Sequence, residues 1–293
     1  MNNNQKIALG ILALVVTFIC GIFFGFFLAN GSNGPTAELQ SQISVSSSSD
    51  TSVEQTTTSS SPEATVPSDS ETGSSSESEI TSDSETGWLK DGYNYLAIGN
   101  SITKHGISSY WWNEVGMAAS DADHDYFHLV LKHLEENNDN VKGVSYNFYI
   151  WETQSHDRDE ALSMLDQYLS PDLDLITVQL GENVSNLSTY QNDFLSMLQY
   201  LKSKAPDAKI LVIGDFWISE NRDELKAAAV QEAGAEYVSL EGIANNDTYY
   251  CGLGTTVYDA DGNEYTVEHE GVARHPGDEG MKAIADRIIE KLV

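Results

Sequence analysis

Residues Tyr93 to Thr103 read YNYLAIGNSIT, a short apolar run that stops abruptly at Gly99-Asn100-Ser101. Tyr95, Leu96, Ala97 and Ile98 are continuous rather than alternating, the pattern of a strand covered on both faces as in a parallel sheet. Gly99 supplies the backbone freedom for a sharp turn, and Asn100 and Ser101 are small polar residues that bond locally or stand at the sheet edge. In open parallel sheets the carboxyl edge of the strands is where ligands bind. The stretch therefore predicts a buried strand that delivers a serine to a functional edge.

The rest of the chain repeats the same unit. Phe127, Val130, Leu131 and Leu134 fall at helical spacing, and Val144 to Trp151 reads as a second strand. Ala161, Met164, Leu165 and Tyr168 mark a helix that Pro171 stops, and Leu173 to Leu180 is a third strand ending in Gly181-Glu182-Asn183. A helix through Phe194, Met197, Leu198 and Leu201 leads to a strand Ile210 to Ile213. A helix around Leu225 to Gln231 and a short strand Glu236 to Leu240 follow. Strand-helix alternation of this kind predicts an α/β domain, a parallel sheet with helices on both faces. Asp261-Gly262 interrupts it with a hairpin, and Met281, Ile284, Ala285, Ile288 and Ile289 give the last helix one apolar face behind His275-Pro276.

This domain occupies residues 88–293; the part before it has another composition. Ile7 to Ala29 are 23 positions without a charge, long enough as a helix to cross a hydrocarbon layer of roughly 30 Å. Residues 1–30 are thus expected to be a transmembrane anchor with its amino terminus inside, Lys6 being the positive flank, or a signal peptide. Residues 31–87, rich in Ser and Thr with interspersed Glu and Asp, cannot bury a core and are expected to form a disordered tether. From Trp88 onward, 14 Lys and Arg face 35 Asp and Glu, a charge that argues against nucleic acid or anionic lipid as a partner of the domain. Cys251 is the one cysteine there, so no internal disulfide staples the domain. His124 and His128 are four apart on a helix but lack a third ligand, so no metal or other cofactor is expected.

Ser101, Asn183 and His275 each stand at an element end that a parallel architecture brings to one edge. A serine is a weak nucleophile until a base takes its proton, which a neutral histidine can do. The resulting oxyanion needs donors, which the Ser101 N–H and the Asn183 amide could supply. Trp111, Trp112 and Trp217 lie in loops near these ends and are candidate sugar-stacking rings.

Three segments also resemble the SGNH (GDSL-type) hydrolases, serine esterases and lipases on a three-layer, flavodoxin-like fold. Gly99-Asn100-Ser101-Ile102-Thr103 is similar to that family's GDSIT with Asn for Asp, Gly181-Glu182-Asn183 to its GxND, and His275-Pro276-Gly277-Asp278-Glu279-Gly280-Met281 to its HPxxxGM. The resemblance spans the whole of residues 88–293. It implies Ser101 as nucleophile, Asn183 as oxyanion donor and His275 as general base. The family's aspartate three residues before the histidine is Val272 here, which leaves His275 to be oriented by a backbone carbonyl or by Glu270. The glycine donor expected after the second strand is also missing from Asn147-Phe-Tyr-Ile-Trp-Glu152, so a second donor from the loops near Trp151 or Gly116 stays open.

With an exposed domain on a tether, the expectation is a serine esterase that removes small acyl groups, acetyl above all, from a carbohydrate or cell-wall polymer. The alternatives are a lipase or thioesterase, a polysaccharide O-acyltransferase, and a catalytically silent carbohydrate-binding module.

Overall fold

The computed structural model describes residues 87–154, 158–219 and 221–293. The expected anchor and nearly all of the expected tether lie outside them. Among the described residues no helix is long and apolar enough to cross a membrane.

Five strands form one parallel sheet: β1 (Tyr93–Gly99), β2 (Val141–Asn147), β3 (Leu175–Gln179), β4 (Lys209–Ile213) and β5 (Glu236–Val238), in the order β2-β1-β3-β4-β5. This is the flavodoxin-like order, whose direction reverses between β1 and β3, so the loops after those two strands flank the crevice where such folds bind ligands. Alternate side chains of each strand serve two separate cores. Leu96, Ile98, Ile176, Val178, Ile210 and Val212 pack against Phe194, Met197, Leu198 and Leu201 of helix Tyr190–Lys204 and against Ala229 and Val230 of helix Arg222–Ala233. Tyr95, Ala97, Leu175, Leu211 and Ile213 face Phe127, Val130 and Leu134 of helix Tyr126–Asn137 and Met281, Ile284 and Ile288 of helix Asp278–Ile289. The continuous apolar runs of β1 and β3 follow from this, since both faces are covered. Each such fully buried aliphatic side chain contributes about 1.5–3 kcal/mol of transfer free energy.

The second strand departs from expectation. It runs from Val141 to Asn147, is half-buried along its length as the edge strand, and gives way to a short helix, Tyr149–Thr153, where a strand through Trp151 was expected. The rings of Phe148 and Trp151 are buried in the first core from that helix, so their size mimicked a strand while their place is after the pairing ends. Phe148 N closes the junction on the Gly99 carbonyl at 2.6 Å. The helix expected around Ala161 to Tyr168 is likewise a short turn, Arg158–Ala161, continued by a 3-10 segment, Leu162–Leu165. The hairpin forms as expected: Thr256–Tyr258 pairs antiparallel with Glu264–Thr266. With Trp111, Val115, Met117, Val267 and Val272 it encloses a small third core beside the sheet edge.

Candidate active site

Two glycines shape the crevice. A Cβ at Gly99 would collide with the Thr103 side chain and come within 2.8 Å of the Gln179 carbonyl, so only glycine lets the chain turn there. Gly181 has φ +135°, a conformation open only to glycine, and any Cβ would meet the Tyr190 hydroxyl. Asn100 then fixes the turn: its Oδ1 accepts the Ile102 N–H at 3.0 Å, and its backbone carbonyl accepts the N–H groups of Thr103 and Lys104 at 3.1 and 3.0 Å. Among the described residues no acceptor takes the Ser101 N–H.

Ser101 Oγ lies 2.8 Å from His275 Nε2, across 174 residues of sequence. His275 Nδ1 lies 2.7 Å from the Gly271 carbonyl, which can only accept, so the ring proton sits on Nδ1 and Nε2 is the bare nitrogen facing the serine. The carbonyl is available for a local reason. Helix Glu270–Ala273 is one turn long, and His275 N closes on Val272 O at 2.9 Å, so the Gly271 carbonyl, which a regular α-helix would give to that N–H, remains for the imidazole. The orienter is therefore main chain, not Glu270, whose side chain is exposed to solvent. Val272, where the resembled family has its acid, is buried in the third core. The loop 249–252 straps the histidine segment down: Cys251 N bonds His275 O at 2.9 Å, Gly252 N bonds Ala273 O at 2.8 Å, and Tyr250 bridges to Pro276.

Burial first, then repulsion from His105 and His269, lowers the His275 pKa from 6.5 to about 4, against the pull of the Gly271 carbonyl. The ring is thus a neutral base at ordinary pH.

At the opposite flank the Asn183 amide donates through Nδ2 to Glu152 Oε2 at 2.7 Å, leaving its second N–H for another acceptor. Glu152 was not anticipated from the sequence. Its carboxylate, 1% exposed, also accepts the Gly181 N–H at 2.6 Å and the Asn100 Nδ2 at 3.2 Å on Oε1. The same Asn100 Nδ2 lies 2.9 Å from Glu182 Oε2, and Glu182 Oε1 accepts from Gln179 Nε2 at 2.8 Å and from Phe216 N at 3.1 Å. Behind them Asp215 is paired with the buried Arg222 and Lys226. At position 100, where the resembled family has aspartate, a donor amide bridges two carboxylates that a third carboxylate would repel.

The two donors left open by the sequence are both engaged elsewhere, the Gly116 N–H by Asp125 Oδ2 at 3.0 Å and the Trp151 N–H by Phe148 O at 3.0 Å. Trp111 is buried at 1% exposure within the third core and does not line a binding surface, which corrects the expectation for it. Trp112 is half-buried and stacked on Tyr265, with ring centroids 4.5 Å apart. Trp217 is half-buried and stands edge-on to His275 at 4.8 Å, its indole N–H on the Arg274 carbonyl at 3.2 Å. Among the described residues no group of three or more metal-ligating side chains occurs; His124 and His128 bond Asp121 and Asp125 at 2.6 and 2.7 Å.

No protein-family profile and no curated protein matches the sequence. Among solved structures the chain is similar to a GDSL-like lipase from Bacteroides ovatus, with 13% identity over 68% of this chain and 98% of that one and a TM-score of 0.44. It is similar to a phospholipase A1 from Streptomyces albidoflavus at 13% identity, 68% and 99% coverage and a TM-score of 0.41. A carbohydrate esterase family 2 enzyme with a carbohydrate-binding domain from Corynascus thermopiles gives 12% identity and a TM-score of 0.39, the match covering 68% of this chain and 65% of that one.

Proposed function

We propose that the domain is an SGNH-type serine esterase that removes small acyl groups, acetyl foremost, from a carbohydrate or cell-wall polymer, held at the outer face of a membrane by its N-terminal apolar segment. The observation that carries this reading is the hydrogen-bonded line Ser101 Oγ, His275 Nε2, His275 Nδ1, Gly271 O, at 2.8 and 2.7 Å, set beside the Asn183 amide at the carboxyl edge of β1 and β3.

The geometry supports the following steps. Ser101 Oγ bonds to the ester carbonyl carbon as its proton passes to His275 Nε2, and the carbonyl oxygen becomes an oxyanion. The Ser101 N–H and the second Asn183 N–H stabilise that charge. The C–O bond to the sugar breaks, Nε2 returns the proton to the leaving alkoxide, and an acyl-serine remains. Water, deprotonated by Nε2, attacks the acyl carbon; the Oγ–C bond breaks, and Oγ takes the proton back as the carboxylic acid departs. Among the described residues no carboxylate bonds the imidazole; the Gly271 carbonyl dipole and the adjacent oxyanion balance the transient imidazolium.

Acetyl and a polymer are favoured by the company the domain would keep outside a cell and by Trp217 and Trp112, whose partly open rings suit sugar contact. An aryl acetate assay tests the reading: the domain should hydrolyse it, Ser101→Ala should not, and a fluorophosphonate should label Ser101. Absence of both hydrolysis and labelling would mean a binding module, and preference for long-chain esters would mean a lipase.

A further inference from the structure

We infer that Glu152 is a positioning residue of the oxyanion site: it aims the Asn183 amide and pins the Gly181 and Asn100 turns on either side of Ser101 with one buried carboxylate.

The inference rests on the esterase reading above and on four contacts. Glu152 arrives from helix Tyr149–Thr153, immediately after β2, where the family resemblance led one to seek a glycine donor. Instead of donating to the oxyanion, this segment accepts from the groups that would. Its Oε2 holds Asn183 Nδ2 at 2.7 Å; its Oε1 takes Gly181 N at 2.6 Å, Asn100 Nδ2 at 3.2 Å and Asn183 N at 3.4 Å. Every neighbour bonded to it is a donor, so the site is built for a carboxylate. An amide side chain is otherwise free to rotate about its last torsion, and a charged acceptor on one N–H fixes where the other points. The loops after β1 and β3 are thereby tied to one carboxylate.

A carboxylate kept this far from water is costly, which argues for a role beyond packing. Burial, then repulsion from Glu182 across the Asn100 amide, raises the Glu152 pKa to about 7. The other charged groups nearby are Asp215, Arg222 and Lys226 behind Glu182; the titratable His275, on the other side of Ser101, is neutral. Oε1 is crowded by three donors, so a proton would settle on Oε2, at the Asn183 contact, and weaken its hold.

Kinetics on an aryl acetate test this with Glu152→Gln, alone and combined with Asn183→Ala. The expected result is a roughly tenfold to hundredfold fall in kcat with KM little changed. In the Asn183→Ala background the further loss should shrink to below about threefold, because the residue acts through that amide. The wild-type kcat should also show a step near pH 7 that the variant lacks. An unchanged kcat, or an equal loss in both backgrounds, would overturn the inference while leaving the esterase reading intact; an inactive wild type would overturn both. If Glu152→Gln fails to fold, the Asn183 side-chain amide NMR signal of the wild-type protein serves instead. It should shift with a single protonation near pH 7, and a signal flat from pH 5 to 9 would overturn the inference.

Discussion

The two flanks of Ser101 are supported in opposite ways. On one side His275 rests on a single uncharged carbonyl, with Val272 sealed in an apolar core where an acid would stand in the family it resembles. On the other side Asn183 and Asn100 are held by Glu152 and Glu182, with Asp215, Arg222 and Lys226 behind. Among the described residues no carboxylate bonds His275, whereas two gather under the Asn183 and Asn100 amides. The carbonyl fixes the tautomer and orientation of the ring without charge, whereas a charged acceptor on one Asn183 N–H sets the direction of the other.

This contrast can be broken at several points. The largest effect belongs to the pair that both flanks serve: Ser101→Ala or His275→Ala should lower kcat on the order of 10⁶-fold, the scale of losing a nucleophile or base elsewhere. If His275→Ala kept substantial turnover in a steady-state assay, the base would have to be sought in another residue. Asn183→Ala should cost about 10²–10³-fold in kcat with KM nearly constant, as removal of one oxyanion donor does. Asn100→Asp introduces the residue of the resembled family yet places a third carboxylate beside Glu152 and Glu182; about tenfold or more of activity and several degrees of melting temperature should be lost, with partial recovery in Asn100→Asp/Glu152→Gln. Recovery absent from the double variant would show that the two positions do not communicate.

The pH profile sharpens the comparison further. The base works only when neutral, and burial lowers the His275 pKa to about 4, so the acid limb of kcat/KM should fall near pH 4 instead of near 6.5. The profile is read in Glu152→Gln, which lacks the step near pH 7; a limb at 6.5 persisting in that variant would indicate that the ring is far better hydrated than its packing implies. The smallest effect is expected at Glu270→Ala, within about twofold of the wild type; a loss approaching roughly 10⁴-fold would make Glu270 a triad acid and the flanks alike after all.

Much of this was legible in the chain itself, for identifiable reasons. β1 and β3 are covered on both faces, so their apolar runs stand out, and Ser101, Asn183 and His275 follow element ends that the parallel order gathers to one edge. What stayed hidden was of three kinds. The Gly271 acceptor is main chain and leaves no mark on a side-chain pattern. Glu152 looks like one more acid in an acidic chain, since its burial depends on β2 ending at Asn147 and turning into a helix, and the rings of Phe148 and Trp151 disguised that turn as strand. Trp111 and Trp217 are the same residue type in similar loops, yet one closes a core and one stands against the base, because the hairpin folds over the first alone.

The Gly271 carbonyl carries a last consequence, for inheritance rather than chemistry. A side-chain acid can be deleted by one codon change, but an acceptor that belongs to the backbone survives every substitution that preserves the turn. Return to a triad is equally obstructed, because an aspartate at Val272 would have to be accommodated among Trp111, Val115 and Val267 before it could reach the ring. The Ser101–His275 contact is thus insensitive to side-chain changes that keep the Gly271 turn, whereas the Asn183 end rests on charged side chains, each of which a single substitution can remove.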